Sequence, residues 1–302
     1  MESAGRTGFP ERATLLAHLS AGPMEYRLQS GGSATVLVFH GGHMRAGLAQ
    51  GVEVFTDAGF TVLAPSRPGY GRTPLTTGTT PAGFADATAE LCAALGISRL
   101  AAVVGVSAGG RTALTLAARH PHLVERVILE SAVGFLPWPS RLIRLGGRVV
   151  FHGRVEAGTW AIMRSLLQVA PSLGLRLLLR ELSVLPAHQV LAALSAAERA
   201  TLAGLFTVMR SGYGFVADML PVPDCAAQVS QPALVIATRR DRSVSFAHAE
   251  SLAAALPNAE LVDSRADSHM IWFGPDYPRI VAKIRAFLAT EDVLDADTGP
   301  GR

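Results

Sequence analysis

Short apolar runs recur along the chain with helix-like stretches between them. The runs TVLVF (35–39), TVLA (61–64), LAAVVGV (100–106), RVIL (126–129) and ALVIA (233–237) are rich in branched residues and bounded by turn formers. Continuous apolar character over so few residues predicts parallel strands covered on both faces, where no position is left for a polar side chain. Between them, apolar residues fall at helical spacing over residues 46–58, over 80–95 with Pro81 in the first turn, and over 110–119. This alternation predicts an α/β fold built of βαβ units, with a doubly wound and mostly parallel sheet. The alternating stretch MEYRLQ (24–29) predicts an antiparallel edge strand.

The rhythm stops after Ser131. From 135 to about 220 there is no strand-like run, only amphipathic pieces at 140–150, 159–169, 173–182, 186–193 and 196–210. Their leucines would face water in isolated helices, so a helical cap resting on one sheet edge is expected. A strand at 231–238, a helix at 246–256, a short strand at 260–262 and a last helix at 275–288 then resume the alternation. The expected organisation is a sheet domain over 13–134 and 221–290, a cap over 135–220, and flexible polar tails at 1–12 and 291–302.

The stretch VVGVSAGG (103–110) places a serine where a buried strand passes straight into a helix. A side chain at that turn is held at the carboxyl edge of the sheet, where open α/β folds bind ligands. The tight backbone requires small neighbours, and Gly105 and Gly109 supply them. This is the G-x-S-x-G nucleophile elbow, with Ser107 as the exposed hydroxyl. A serine hydroxyl needs a base, and the base needs a carboxylate to orient it. Asp241, in the loop after ALVIA, and His269, in the loop after the following strand, leave the same sheet edge in the order that the elbow calls for.

Together HGG at 40–42, SRPGYGRT at 66–73, GVSAG at 105–109, Asp241 after its strand and SHM at 268–270 resemble the α/β-hydrolase fold superfamily, in its form with a helical cap. The resemblance covers residues 26–288 apart from the cap. It implies a serine hydrolase with Ser107, Asp241 and His269 as catalytic residues and no cofactor or metal. Backbone N–H groups of Gly42 and Ala108 form the expected oxyanion hole. One departure concerns the acid: family members often carry glycine three residues before it, where this chain has Thr238. Glu130 occupies the position where some relatives hold the acid and stays a rival to Asp241. Asp263 and Asp267 flank the histidine loop and read as strand-end and turn residues. Among the other histidines, His40 is expected to brace the glycine loop by family likeness. His120 and His122 read as helix-end groups, His248 as a helix residue, His152 and His188 as cap residues, and His18 as part of the N-terminal arm. His43 follows the glycines that face the nucleophile and is expected to touch substrate.

Composition narrows the function classes. No uninterrupted apolar stretch is long enough to span a bilayer, and the first residues lack the charged-then-apolar order of a secretion signal, so a cytoplasmic protein is expected. The formal charge is only +3, arginines are scattered and Lys283 is the sole lysine, which argues against a nucleic-acid partner. Cys92 and Cys225 belong to no cluster and read as free buried thiols. The apolar cap, with Phe135, Trp138, Trp160, Phe206, Tyr213 and Phe215, points to a medium-sized apolar small molecule as substrate. Gly41, His43, Phe135, Trp138 and Trp272 are the expected pocket residues. A carboxylic ester is the leading bond, with thioester, lactone and carbon–carbon bonds as variants. Lyase or cofactor-free oxygenase chemistry and a small-molecule receptor are the other classes this fold serves. The leucine-rich cap could also pair two chains.

Overall fold

The computed structural model describes residues 9, 11–48, 51–139, 146–147, 150–151 and 153–289. His152, the terminal stretches 1–8 and 290–302, and most of the helix expected at 140–150 lie outside the described residues. The strands are β1 (Leu15–Leu19), β2 (Gly22–Gln29), β3 (Thr35–Phe39), β4 (Thr61–Pro65), β5 (Ala102–Val106), β6 (Val127–Glu130), β7 (Ala233–Ala237) and β8 (Ala259–Asp263). They form one 8-stranded sheet in the order β1-β2-β4-β3-β5-β6-β7-β8. β3 to β8 run parallel, whereas β1 and β2 add an antiparallel edge. The edge strand expected at 24–29 is therefore flanked by a further strand. β1 (LLAHL) shows no alternation of its own, and only its hairpin pairing with β2 defines it.

Around the sheet lie α1 (Glu53–Thr56), α2 (Pro81–Ala94) and α3 (Gly110–Arg119). Between β6 and β7 come α4 (Gly153–Val169), α5 (Pro171–Leu182), α6 (Ala187–Ala193), α7 (Ala196–Val208) and α8 (Gly214–Asp218), and after β7 come α9 (Phe246–Ala255) and α10 (Tyr277–Ala289). Alternate strand residues separate the two faces. Leu37, Phe39, Val103, Leu129 and Val235 pack on α2, α3 and α9, while Val36, Val38, Val104, Ile128 and Ile236 pack on α1 and α10. Both faces are covered, which is why these strands read as unbroken apolar runs.

Two expectations change here. The helix expected over 46–58 shrinks to the four residues of α1. Gly51 adopts φ 69°, and a Cβ there would lie 2.0 Å from Trp272 Nε1, so close packing of the chain against this indole replaces a helical turn. Arg12, assigned to a flexible tail, is instead tied to the body, its N–H donating to the Gly47 carbonyl at 2.9 Å.

The helices between β6 and β7 share their own apolar cluster, with Trp160, Leu167, Leu175, Leu179, Leu202, Leu205 and Phe206 at its centre. Met44, Leu48 and Met270 of the sheet domain enter the same cluster, so the helices are packed down onto the sheet's carboxyl edge. α7 starts with a capping box, in which Ser195 Oγ accepts from Glu198 N–H and the Glu198 carboxylate accepts from Ser195 N–H. No helix among the described residues is long and apolar enough to cross a membrane.

Leu205 is fully buried in that cluster, whereas Ile162 of α4 is 73% exposed. Leu205→Ala is expected to lower stability by about 2–5 kcal/mol, and Ile162→Ser to change it by less than about 0.5 kcal/mol. Urea unfolding of both variants checks the difference.

Candidate active site

Ser107 stands where β5 turns through the short 3-10 segment Ser107–Gly109 into α3, and its φ of 49° lies in the left-handed region. That conformation is costly for a residue with a side chain and persists only where the surroundings impose it. Here β5 is fixed between β3 and β6, and the Ser107 carbonyl accepts from Val133 N–H at 2.8 Å. The two glycines are sterically required. A Cβ at Gly105 would meet Gly110 Cα at 2.7 Å, and one at Gly109 would meet the Phe39 carbonyl oxygen at 2.3 Å. The turn therefore presents the hydroxyl at the carboxyl edge, beside the N-terminus of α3.

Asp241 and His269 meet at the same edge. His269 Nδ1 and Asp241 Oδ2 are 2.6 Å apart, and both residues are buried. The second carboxylate oxygen, Oδ1, accepts from Val244 N–H at 2.9 Å, which fixes the plane of the carboxylate. Thr238, found where relatives often carry glycine, has a role in this geometry. Its hydroxyl donates to the Ala266 carbonyl at 2.7 Å and so ties the acid loop to the histidine loop. α5 fastens both loops from above. His269 N–H donates to the Leu182 carbonyl at 2.8 Å, and Ser183 forms an antiparallel bridge with Asp241. Ser107 and His269 line one cavity, and among the described residues no hydrogen bond joins them. Such bonds often tighten only when substrate is bound.

The rival acid lies elsewhere. Glu130 is fully buried at the end of β6, with Oε1 lacking a partner among the described residues. Burial pushes its pKa up to about 8, so it is mostly neutral at pH 7. Asp263 and Asp267 pair with Arg239 and Arg240 at the surface. His40 is buried, and its carbonyl accepts from Arg67 Nε at 2.8 Å. His120 ends α3 and pairs with Asp86, His248 Nδ1 accepts from Gly134 N–H, and His122 and His188 are exposed. His18, expected in an N-terminal arm, is part of β1.

The cavity holding Ser107 and His269 measures about 310 Å³. Gly41, Gly42, His43, Trp138 and Trp272 line it, together with the cap residues Trp160, Leu205, Phe206, Met209 and Phe215. Phe135 does not. It packs instead against the apolar cluster shared by the sheet, α3 and α9. Tyr213 is also absent from the lining, being 57% exposed. Ala108 is buried in one cluster with Tyr70, Trp138 and Phe215, next in the chain to Ser107. Residues 107 and 269 follow β5 and β8, so the cavity floor comes from the sheet and the roof from the cap.

Sequence reading gave no role to the residues that lock the roof. Arg67 and Tyr70, within SRPGYGRT, both bind Asp218 of α8: Arg67 through a two-pronged ion pair and Tyr70 through its hydroxyl at 2.5 Å. The motif marked the first two, but nothing in the sequence marks Asp218 as their partner. Cys225 is half-buried, rather than buried as expected, and Cys92 is buried, which pushes its thiol up to about 12. No group of three or more metal-ligating side chains occurs among the described residues.

Comparison with known proteins agrees with this architecture. A family model described as alpha/beta hydrolase fold matches residues 34–150, and one described as TAP-like protein matches residues 216–299. An uncharacterized hydrolase of Bacillus subtilis, YcgS, is 27% identical over 88% of this chain and 95% of its own length. A 2-hydroxy-6-oxo-6-phenylhexa-2,4-dienoate hydrolase of Comamonas testosteroni is 33% identical over 39% of this chain and 44% of its own. The solved structure of an alpha/beta hydrolase fold protein from Nakamurella multipartita superposes with a TM-score of 0.74 at 24% identity, covering 91% of this chain and 99% of that one. With its sheet order, its elbow and these matches, the chain has the α/β-hydrolase fold.

Proposed function

We propose that the protein is a serine hydrolase that cleaves a carboxylic ester, or a related acyl bond, of a medium-sized apolar small molecule. The 2.6 Å contact between His269 and Asp241, at the edge of the cavity that Ser107 also lines, carries this reading. With Nδ1–H donated to Asp241, the free electron pair of His269 is on Nε2. Nε2 takes the proton of Ser107 as Oγ attacks the acyl carbon. The oxyanion accepts from the N–H groups of Ala108 and Gly42, each worth about 3–4 kcal/mol in the transition state. His269 then gives its proton to the departing alcohol, activates a water, and the acyl-enzyme is hydrolysed to acid and free Ser107. A cavity of about 310 Å³ with mostly apolar walls fits a small acyl or aryl group better than a long chain. The resemblance to a dienoate hydrolase keeps carbon–carbon cleavage among the related bonds.

Fluorophosphonate labelling followed by intact mass is expected to add one adduct to the native protein and none to Ser107→Ala. The same variant is expected to lose at least about 10³-fold in kcat toward p-nitrophenyl butanoate. A native protein that stays unlabelled refutes the nucleophile. An initial burst of p-nitrophenol followed by steady release distinguishes an acyl-enzyme hydrolase from a lyase.

The two acids are separable. Asp241→Asn is expected to lower kcat by about 10³- to 10⁴-fold, and Glu130→Gln to leave it within about threefold. Glu130 has its own signature in stability. Its folded-state pKa, near 8, exceeds the ordinary 4.5, so between these values the folded protein holds a proton that the unfolded chain has lost. Its contribution is thus fully present below about pH 4.5 and is lost as pH rises through 8. Comparing the pH dependence of urea midpoints for the native protein and Glu130→Gln measures this; equal slopes would count against a buried neutral carboxyl.

A further inference from the structure

His43 ends the glycine turn after β3 with φ 64°, and its carbonyl accepts from Arg210 N–H at 3.0 Å, which ties this turn to the cap. The ring lies in an aromatic box, its centroid 4.0 Å from that of Phe215, 5.0 Å from Phe151 and 5.2 Å from Trp160. It lines the same cavity as Ser107.

A fully buried cap residue, Ser211, determines where the ring proton sits. Among the described residues its hydroxyl oxygen has two partners, Trp160 Nε1 at 2.8 Å and His43 Nδ1 at 2.7 Å. An indole N–H can only donate, and Nδ1 is the one acceptor available to the hydroxyl proton among the described residues; donating to Nδ1 spares a buried O–H from standing unpaired, and the ring then carries its own proton on Nε2. Ser211 has little freedom to rearrange. Its N–H donates to Glu156 Oε1 at 2.6 Å, and the Glu156 carboxylate is itself paired with Arg210. Burial, opposed in part by the Glu156 charge and aided by Arg67, pushes the imidazole pKa down to about 3, in keeping with a neutral ring.

Nε2–H has no partner among the described residues, and most of the surrounding wall is apolar. A ligand that leaves such a donor unmatched forfeits the hydrogen bond it would otherwise gain, so the site discriminates in favour of an acceptor. Among the described residues the lining contains no arginine or lysine and does contain Glu181, so a carboxylate would meet no compensating charge from them.

We infer that His43 is a specificity-determining residue, a neutral imidazole with its tautomer fixed by Ser211. Its Nε2–H selects apolar substrates that carry a second, uncharged oxygen acceptor, such as a ketone, away from the scissile carbonyl. The substrate part of this inference rests on the hydrolase reading; the tautomer part does not.

Two measurements test it. Nitrogen NMR of histidine-labelled protein, with His43 assigned by its loss in His43→Gln, is expected to show the neutral Nε2–H form from about pH 7 down to about pH 5. Ser211→Ala is expected to give mixed tautomers. A cationic or Nδ1–H ring in the native protein overturns the inference whether or not esters are turned over.

The second measurement compares kcat/KM for p-nitrophenyl 4-oxohexanoate and 5-oxohexanoate with that for the plain hexanoate, each normalised to its hydroxide rate. The native protein is expected to prefer at least one oxo ester by about 5- to 10-fold, mainly through KM. His43→Phe is expected to abolish this ratio, and Ser211→Ala to reduce it. No preference in the native protein, or one that survives His43→Phe, overturns the substrate assignment. Failure of every ester together with absent fluorophosphonate labelling sinks the hydrolase reading instead, and the NMR result then still decides the state of His43.

Discussion

The left-handed turn at Ser107 is the constraint on which the site depends. A side-chain-bearing residue at φ 49° is stable there only because β5 is held on both sides by parallel neighbours and because α3 follows almost without a loop. Gly105 and Gly109 allow the close passage, Gly109 against the end of β3 and Gly105 against the start of α3. The same close passage brings the glycine loop after β3 to Ser107, for Gly41 packs on Ser107 Cβ. Elbow and glycine loop are thus two sides of one steric fit, and a change that relaxes one displaces the other.

Among the contacts that hold the cap to the sheet domain, two lie at separate places around the cavity. Near its start in space, the end of α5 binds the acid and histidine loops through Leu182 and Ser183. Near its return, Asp218 of α8 is held by Arg67 and Tyr70. A buried ion pair is weak evidence for stability, since desolvation offsets most of its attraction, but its geometry is demanding. Tyr70 also packs in one cluster with Ala108, Trp138 and Phe215, so the clamp that seats the cap shapes the cavity wall beside the glycine loop. The roof and the floor of the cavity are therefore positioned by shared residues.

Sequence and structure part company where a residue's role depends on a partner remote in the chain. The elbow, Asp241 and His269 were legible because each follows a strand run that identifies itself and because parallel strands bring their carboxyl ends together. The central strands were legible for the same reason, being covered on both faces. β1 was not, since LLAHL acquires its identity only from the hydrogen bonds of β2, and α1 was overestimated because the demand of Trp272 for a glycine at position 51 is invisible in a local pattern. Phe135, Tyr213 and Phe215 are alike in composition, yet one packs under the sheet, one faces solvent and one lines the cavity.

Local order thus fixed the doubly wound alternation, the place of Ser107 and the loops that carry Asp241 and His269. These follow from periodicity and steric size, which act between near neighbours. Tertiary structure alone decided which carboxylate binds the imidazole, which aromatics form the cavity wall and which nitrogen of His43 holds the proton. Each of those depends on one hydrogen bond or one close packing contact between distant segments, and such a contact exists only once the chain has folded.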